Sequence, residues 1–149
     1  KTDVVSEKKY SDRIMETLRK YHNRAIETAQ VIEELIQMAK DMAEDEKIAA
    51  NSGLNSDEIA FYRALIQNES AVKELGDNNL RELAKHVTMQ LRKSTTVDWQ
   101  VRDSVRAKLR NLVRRALRKW RYPPDKADEA VELCLKQAEA LSESWSGRD

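Results

Sequence analysis

Residues 97–126, which read VDWQVRDSVRAKLRNLVRRALRKWRYPPDK, constrain the possible folds of this chain more than any other stretch. Apolar residues recur there every three or four positions, so the stretch predicts one amphipathic helix that continues to about Arg121. Pro123 and Pro124 end the helix because neither can donate a helical hydrogen bond. Since one side of such a helix must be buried against neighbours, the stretch predicts a packed helical domain.

The composition favours helices along the whole chain. The 149 residues include only 3 Gly and 2 Pro, while the good helix formers Ala, Leu, Glu, Lys and Arg are abundant. We therefore expect an all-α fold, a bundle of about five to six helices with one long N-terminal helix. No apolar run approaches the ~20 residues that a membrane span requires, so no membrane contact is expected.

The long N-terminal helix is predicted over residues 11–50, because apolar residues there alternate spacings of three and four. This seam consists of Ile14, Leu18, Tyr21, Ala25, Thr28, Ile32, Leu35, Ala39 and Met42. The helix could pack along an antiparallel neighbour in the bundle, or it could form an intermolecular coiled coil. Residues 1–10 are expected to be a flexible extension, residues 11–145 a single helical domain, and residues 146–149 a frayed tail.

Turn and capping signals divide the rest of the chain. Gly53 is suited to a left-handed helix end, and Asn55 with Glu58 three residues later forms the pattern of a capping box. Gly76 is expected to stop a short helix and Asp77 to begin the next. Because the chain starts without Met or a signal peptide, we expect it to be a fragment of a larger multidomain chain.

The amphipathic helix that precedes Pro123 is predicted to start near Thr96 or Asp98 and to continue to about Arg121. It is unusually basic, with nine Lys and Arg residues from Arg102 to Arg121 against one acid, Asp103. Arg102 and Arg106 fall inside the apolar arc near Trp99, and we expect them to form structural ion pairs, since an unpaired buried guanidinium is costly. The flanking cations could be a solvated face, or they could contact a partner or the DNA backbone. These contact candidates are Arg110, Arg114, Arg115, Arg118, Lys119 and Arg121.

Catalytic and metal-binding patterns are missing. The sequence has no glycine-rich phosphate loop, no HExxH and no paired cysteines. His22 and His86 are expected at the surface or its boundary, and Cys134 is expected to be a small core residue on the last helix. We therefore expect no catalytic, cofactor-binding or metal-binding residue, and no small-molecule substrate. The lone cysteine fits a reducing compartment, and we expect the protein to be cytoplasmic.

Three segments carry a family resemblance: YHNRAIETAQVIEELIQMAKDM (21–42), EIAFYRALIQNESAVKELGDNNL (58–80) and VDWQVRDSVRAKLRNLVRRALRKWRYPPDKADEAVEL (97–133). Together they resemble the C-terminal helical domain of the R subunit of type I restriction–modification enzymes. The stretch from Trp99 to Lys126 is the most specific part. Relatives often carry Gly in the turn before Pro123, where this sequence has Arg121 and Tyr122, so the local helix end is expected to differ.

The resemblance implies a role in DNA restriction. In that family the R subunit combines an endonuclease domain, two motor domains that hydrolyse ATP to translocate DNA, and this helical region. The helical region is then a non-catalytic assembly domain that docks the R subunit onto the methyltransferase subunit. ATP and Mg would be cofactors of the parent chain and not of this fragment. Two alternatives stay open: a basic helical module that contacts the DNA backbone, and a structural lid on the motor domains.

Overall fold

The computed structural model describes residues 3–94 and 102–145, without the side chain of Arg102. Within those residues there are helices and no strand, so the all-α prediction is confirmed. The helices are α1 (Val4–His22), α2 (Thr28–Ala50), α3 (Ser56–Leu65), α4 (Glu69–Ser94), α5 (Arg102–Lys119) and α6 (Ala127–Trp145), with a 3₁₀ turn at Pro124–Lys126 before α6. The chain divides into two compact units, Lys1–Val4 with Leu54–Asp149, and Val5–Gly53.

The larger unit is a bundle of α3, α4, α5 and α6. Each helix packs on the next along the chain, α6 returns to α3, and α4 also contacts α6. The core residues at the helix centres are fully buried, as the three- and four-residue spacing predicts. They include Phe61, Leu65, Leu80, Leu83, Leu91, Leu109, Val113, Val131 and Leu135. Cys134 is also fully buried, as predicted for a small core residue.

Local sequence signals position the helices of this bundle. The predicted capping box at the start of α3 is confirmed: the Glu58 amide donates to Asn55 Oδ1 at 2.8 Å, and the Asn55 amide donates to Glu58 Oε1 at 3.0 Å. Gly76 has φ +80° and ψ 161° and kinks α4, so the predicted interruption there is also confirmed. Only glycine adopts that backbone conformation without strain.

The first residues of the chain differ from the expected flexible extension. Helix α1 already begins at Val4, and Asp3 is buried. Arg63 on α3 donates to the Asp3 carboxylate at 2.5 Å. The Val4 amide donates to the side-chain oxygen of Gln137, a fully buried residue of α6, at 2.9 Å. The N-terminus is therefore attached to the bundle by polar contacts that no apolar periodicity reveals.

The smaller unit, Val5–Gly53, is a helical hairpin of α1 and α2. The predicted helix over residues 11–50 is helical over most of its length, but a turn at residues 23–27 divides it. Arg24 has a left-handed φ of +60°. The Ala25 amide donates to the Lys20 carbonyl at 2.8 Å, and the Arg24 amide donates to the Tyr21 carbonyl at 3.0 Å. These are the hydrogen bonds of a Schellman motif, which ends a helix.

Helix α5 ends in the same motif. Arg121 has φ +61°, the Tyr122 amide donates to the Leu117 carbonyl at 2.9 Å, and the Arg121 amide donates to the Arg118 carbonyl at 3.0 Å. The predicted helix end at about Arg121 is thus two residues late. The turn directs the buried Tyr122 towards α3, where its hydroxyl donates to the carbonyl of Leu65 at 2.7 Å.

Replacing Arg121 by glycine should stabilise the protein. A side chain at a left-handed φ costs about 1–2 kcal/mol, and the extra freedom that glycine gives the unfolded chain takes back about 0.4–1 kcal/mol. We expect Arg121→Gly to raise the free energy of unfolding by about 0.5–1 kcal/mol, measured by chemical denaturation. Arg118→Gly, the same change inside the helix, should lower it by about 1 kcal/mol. If both variants had a lower free energy of unfolding than wild type, the claim that Arg121 is strained would be wrong.

Candidate functional site

Three arginines on one side of α5 face a row of carboxylates on α6. Arg106 lies 3.0 Å from Glu139 and 3.8 Å from Glu132. Arg110 contacts both carboxylate oxygens of Glu132, at 2.8 and 3.4 Å. The next arginine along α5, Arg114, lies 3.7 Å from Asp128. The order of these pairs shows that α5 and α6 run antiparallel, and we call this row of ion pairs the inner ladder.

The inner ladder depends on helical spacing in both helices. Its arginines are four residues apart, and its acids at 128, 132 and 139 are four and seven apart, so each set lies on one face of its helix. The Arg110 guanidinium, by its hydrogen bonds to Glu132, lowers the pKa of that carboxyl, and the charges of Arg106 and Arg114 act in the same direction. The carboxylate is therefore favoured as an anion in the folded protein.

The inner ladder changes the assignment of two predicted contact residues. Arg110 and Arg114 were expected to contact a partner or DNA, but they are engaged by α6, and only 30% of the Arg110 side chain is exposed. Arg106 pairs with carboxylates of a neighbouring helix. The prediction for Arg102 and Trp99 concerns side chains outside the described residues. The acids at 128, 132 and 139 are partners that were not predicted from the sequence, although their spacing was a usable signal.

The other predicted contact residues form an outward surface near the end of α5. We call this the outer cationic face, and it consists of Arg115, Arg118, Lys119 and Arg121. All four side chains are exposed. Within residues 3–94 and 102–145, none of them has a carboxylate within ion-pair distance. No acid occurs in the sequence between Asp103 and Arg121, so α5 itself supplies no compensating charge here.

The outer cationic face borders α4 through a half-buried aromatic pair. The rings of His86 on α4 and Trp120 lie 6.1 Å apart. Partial burial lowers the pKa of His86, and the charge of Lys119 lowers it further. The neutral imidazole is therefore favoured, and α4 does not add a second cation at this position at neutral pH.

The hairpin of α1 and α2 carries a second surface with different chemistry. Nine large apolar side chains are more than 40% exposed there, against two, Val72 and Met89, in the described part of the bundle. We call eight of the nine the hairpin apolar face: Ile14, Met15, Leu18, Tyr21, Ile32, Leu35, Ile36 and Met42. Ile48 lies about 160° from Ile32 around α2 and is not included. Six of the eight belong to the predicted seam. The bundle interpretation expected a neighbouring helix to cover this seam, but these six side chains are exposed.

Polar groups hold the two helices of the hairpin together. Tyr10 donates a hydrogen bond to Asp45, and Arg13 lies 2.8 Å from Asp41, a contact that lowers the pKa of that carboxyl. Towards the turn, charged side chains from both helices line an open groove of about 430 Å³. Polar contacts therefore join α1 and α2, and the large apolar side chains named above are exposed.

His, Cys, Asp and Glu side chains are dispersed over the described residues. These residues include no group of three or more His, Cys, Asp or Glu side chains placed to hold a metal ion. Burial raises the pKa of the Cys134 thiol to about 12, so this cysteine is held as the unreactive thiol. No helix in the described ranges has the length and apolarity needed to cross a membrane.

Comparison with known proteins gives a family match over nearly the whole chain. The family described as type I restriction enzyme HindI endonuclease subunit-like, C-terminal, matches residues 1–144. The chain is 44% identical over 146 residues to the type I restriction enzyme HindI endonuclease subunit of Haemophilus influenzae, and this match covers 98% of the chain but 14% of the relative.

A second relative matches only part of the chain. The putative type I restriction enzyme MjaIXP endonuclease subunit of Methanocaldococcus jannaschii is 39% identical over 59 residues, which are 40% of this chain and 6% of that protein. No solved structure is significantly similar. The chain therefore spans only a small part of the curated relatives that it matches.

The inner ladder makes stability depend on pH. The pKa of Glu132 is lower in the folded than in the unfolded protein, so its contribution is present above the unfolded pKa near 4.5 and is lost as the pH falls through the folded pKa. We expect Glu132→Gln to reduce the free energy of unfolding at pH 7 and to flatten its fall on acidification, measured by urea denaturation across pH. Glu74→Gln, at an exposed glutamate without an ion pair in the described residues, is the control. Equal pH profiles for Glu132→Gln and wild type would contradict the role of the ladder.

Proposed function

This chain belongs to the family of HindI-like C-terminal domains of type I restriction enzyme endonuclease subunits, and on that premise we propose that it is a non-catalytic assembly domain. Its role is to dock the endonuclease and translocase subunit onto the methyltransferase subunit of the same complex. Nuclease and ATP-dependent motor chemistry, with ATP and Mg, would belong to other parts of the parent subunit.

The hairpin apolar face is the observation that carries the proposal. A unit the size of Val5–Gly53 is near the lower limit for a fold stabilised by its own core. It nevertheless leaves its large apolar residues exposed, and large exposed apolar patches on proteins mark interaction sites. A protein partner that covers this face would remove the apolar surface from water and would thereby supply the free energy of docking.

Charge indicates the chemistry of the partner's surface. Helix α2 has six acids and two bases, and Glu33, Glu34, Glu44 and Glu46 are exposed beside the apolar residues. A complementary partner would present an apolar patch with basic residues at its rim, since interfaces combine an apolar core with a polar rim. We assign this complementary surface to the methyltransferase subunit, because docking onto that subunit is the function the family resemblance implies.

Removing apolar contacts from the hairpin should weaken docking. Ile32 and Leu35 are 53% and 47% exposed, so each has roughly half of its surface left to bury. The double variant Ile32→Gln, Leu35→Gln in the full-length subunit should lose about 2 kcal/mol of binding free energy, or about thirtyfold in affinity for the methyltransferase core. Binding would be measured by calorimetry, with circular dichroism to verify folding.

The bundle offers a matched control. Val72 and Met89 are 44% and 51% exposed, and Val72→Gln, Met89→Gln should bind the core as wild type does. Equal weakening by both double variants would contradict a specific role of the hairpin. If deletion of the whole chain from the subunit left binding unchanged, docking would be wrong, and loss of motor activity in that deletion would favour the structural lid.

A further inference from the structure

The outer cationic face has no role in the docking proposed for the hairpin. Its four cations lie at the end of α5 and in the turn that follows, and Arg118 and Lys119 are neighbours of Arg115 on the helix surface because they are three and four residues from it. Like charges at three- and four-residue spacing destabilise a helix. Earlier in the same helix, carboxylates of α6 offset the repulsion between Arg110 and Arg114 in the inner ladder. The outer cationic face receives no carboxylate from the described residues. An anion from outside the fold would relieve the repulsion.

The composition of this face distinguishes between possible anions. An acidic protein surface would need apolar contacts as well, since protein interfaces have an apolar core. None of the large exposed apolar side chains in the described residues lies on α5, where the apolar arc faces the bundle. Three of the four cations are arginines, whose planar guanidinium groups match the oxygens of a phosphate. The face therefore suits a phosphate polymer better than a protein.

We propose that the outer cationic face binds the phosphate backbone of duplex DNA without reading its base sequence. The choice of DNA among phosphate polymers rests on the proposed function in a restriction complex. Because Val105, Leu109 and Val113 are buried in the bundle, only the other side of α5 is open to DNA. Contacts from one exposed side of a helix reach phosphates, and phosphate contacts position a protein on DNA without specifying sequence.

The salt dependence of DNA binding tests this assignment on the 149-residue chain alone. The probe is a fluorescent mixed-sequence DNA duplex, and its anisotropy is followed from about 50 to 200 mM salt. The variant carries Arg115→Gln, Arg118→Gln, Lys119→Gln and Arg121→Gln. The slope of log affinity against log salt should become shallower by about 0.9 for each phosphate contact removed, or about 3.6 for all four.

A matched variant distinguishes an effect of this particular surface from an effect of the net charge of the chain. Lys73→Gln, Lys93→Gln, Lys126→Gln and Lys136→Gln remove the same charge from other exposed positions of the bundle and should leave the slope near that of wild type. Arg115→Lys, Arg118→Lys and Arg121→Lys together should keep most of the slope, because counterion release depends on charge. Circular dichroism verifies that every variant is folded.

Four results would overturn the proposal. They are equal slopes for the two glutamine variants, no binding of the duplex by wild type at about 50 mM salt, displacement of the DNA by polyglutamate as effectively as by unlabelled DNA, and stronger displacement by duplex RNA. Since the assay contains no methyltransferase subunit, failure here leaves the docking result of the hairpin variants unaffected. Failure of docking would likewise not change the salt slope.

Discussion

The packing of α5 on α6 is the interaction on which the rest of the bundle depends. Helix α5 can bury its apolar arc only if the arginines at the edge of that arc meet carboxylates, since an unpaired guanidinium at a buried edge is costly. Glu132 and Glu139 supply those partners for Arg106 and Arg110. Arg118 continues the four-residue row of the ladder arginines without a carboxylate partner in the described residues, whereas the 100° step between residues directs Arg115 and Lys119 away from that side.

The two compact units carry surfaces of opposite character. The hairpin apolar face has exposed Ile, Leu and Met residues beside acids, and the outer cationic face has guanidinium and ammonium groups without exposed apolar residues. Apolar burial favours a protein partner, whereas a row of uncompensated cations favours a polyanion. In the functions proposed above, the hairpin would contact a protein subunit and the bundle would contact DNA, and neither contact requires chemistry from this chain.

Periodicity and local signals predicted most of the bundle. Leu80, Leu83, Val87 and Leu91 repeat at three- and four-residue spacing and are all fully buried, because a helix must bury its apolar stripe. The interruption at Gly76 was also predicted, because glycine tolerates backbone angles that end a helix. The turn at residues 23–27 could not be found in this way: Arg24 occupies the left-handed position where glycine is usual, so the local sequence carries no break signal.

The candidate sites, like the helices, were predicted only in part from the sequence. The amino-acid sequence by itself determined that α5 is an amphipathic helix with a dense cationic side, because residue spacing alone sets which side chains share a helical face. Only the tertiary structure decided that Arg110 is neutralised by Glu132 while Arg118 is left to solvent, and that Ile32 and Leu35 lie uncovered. Pairing and exposure depend on which helix lies alongside, and that is settled by packing between segments far apart in the chain.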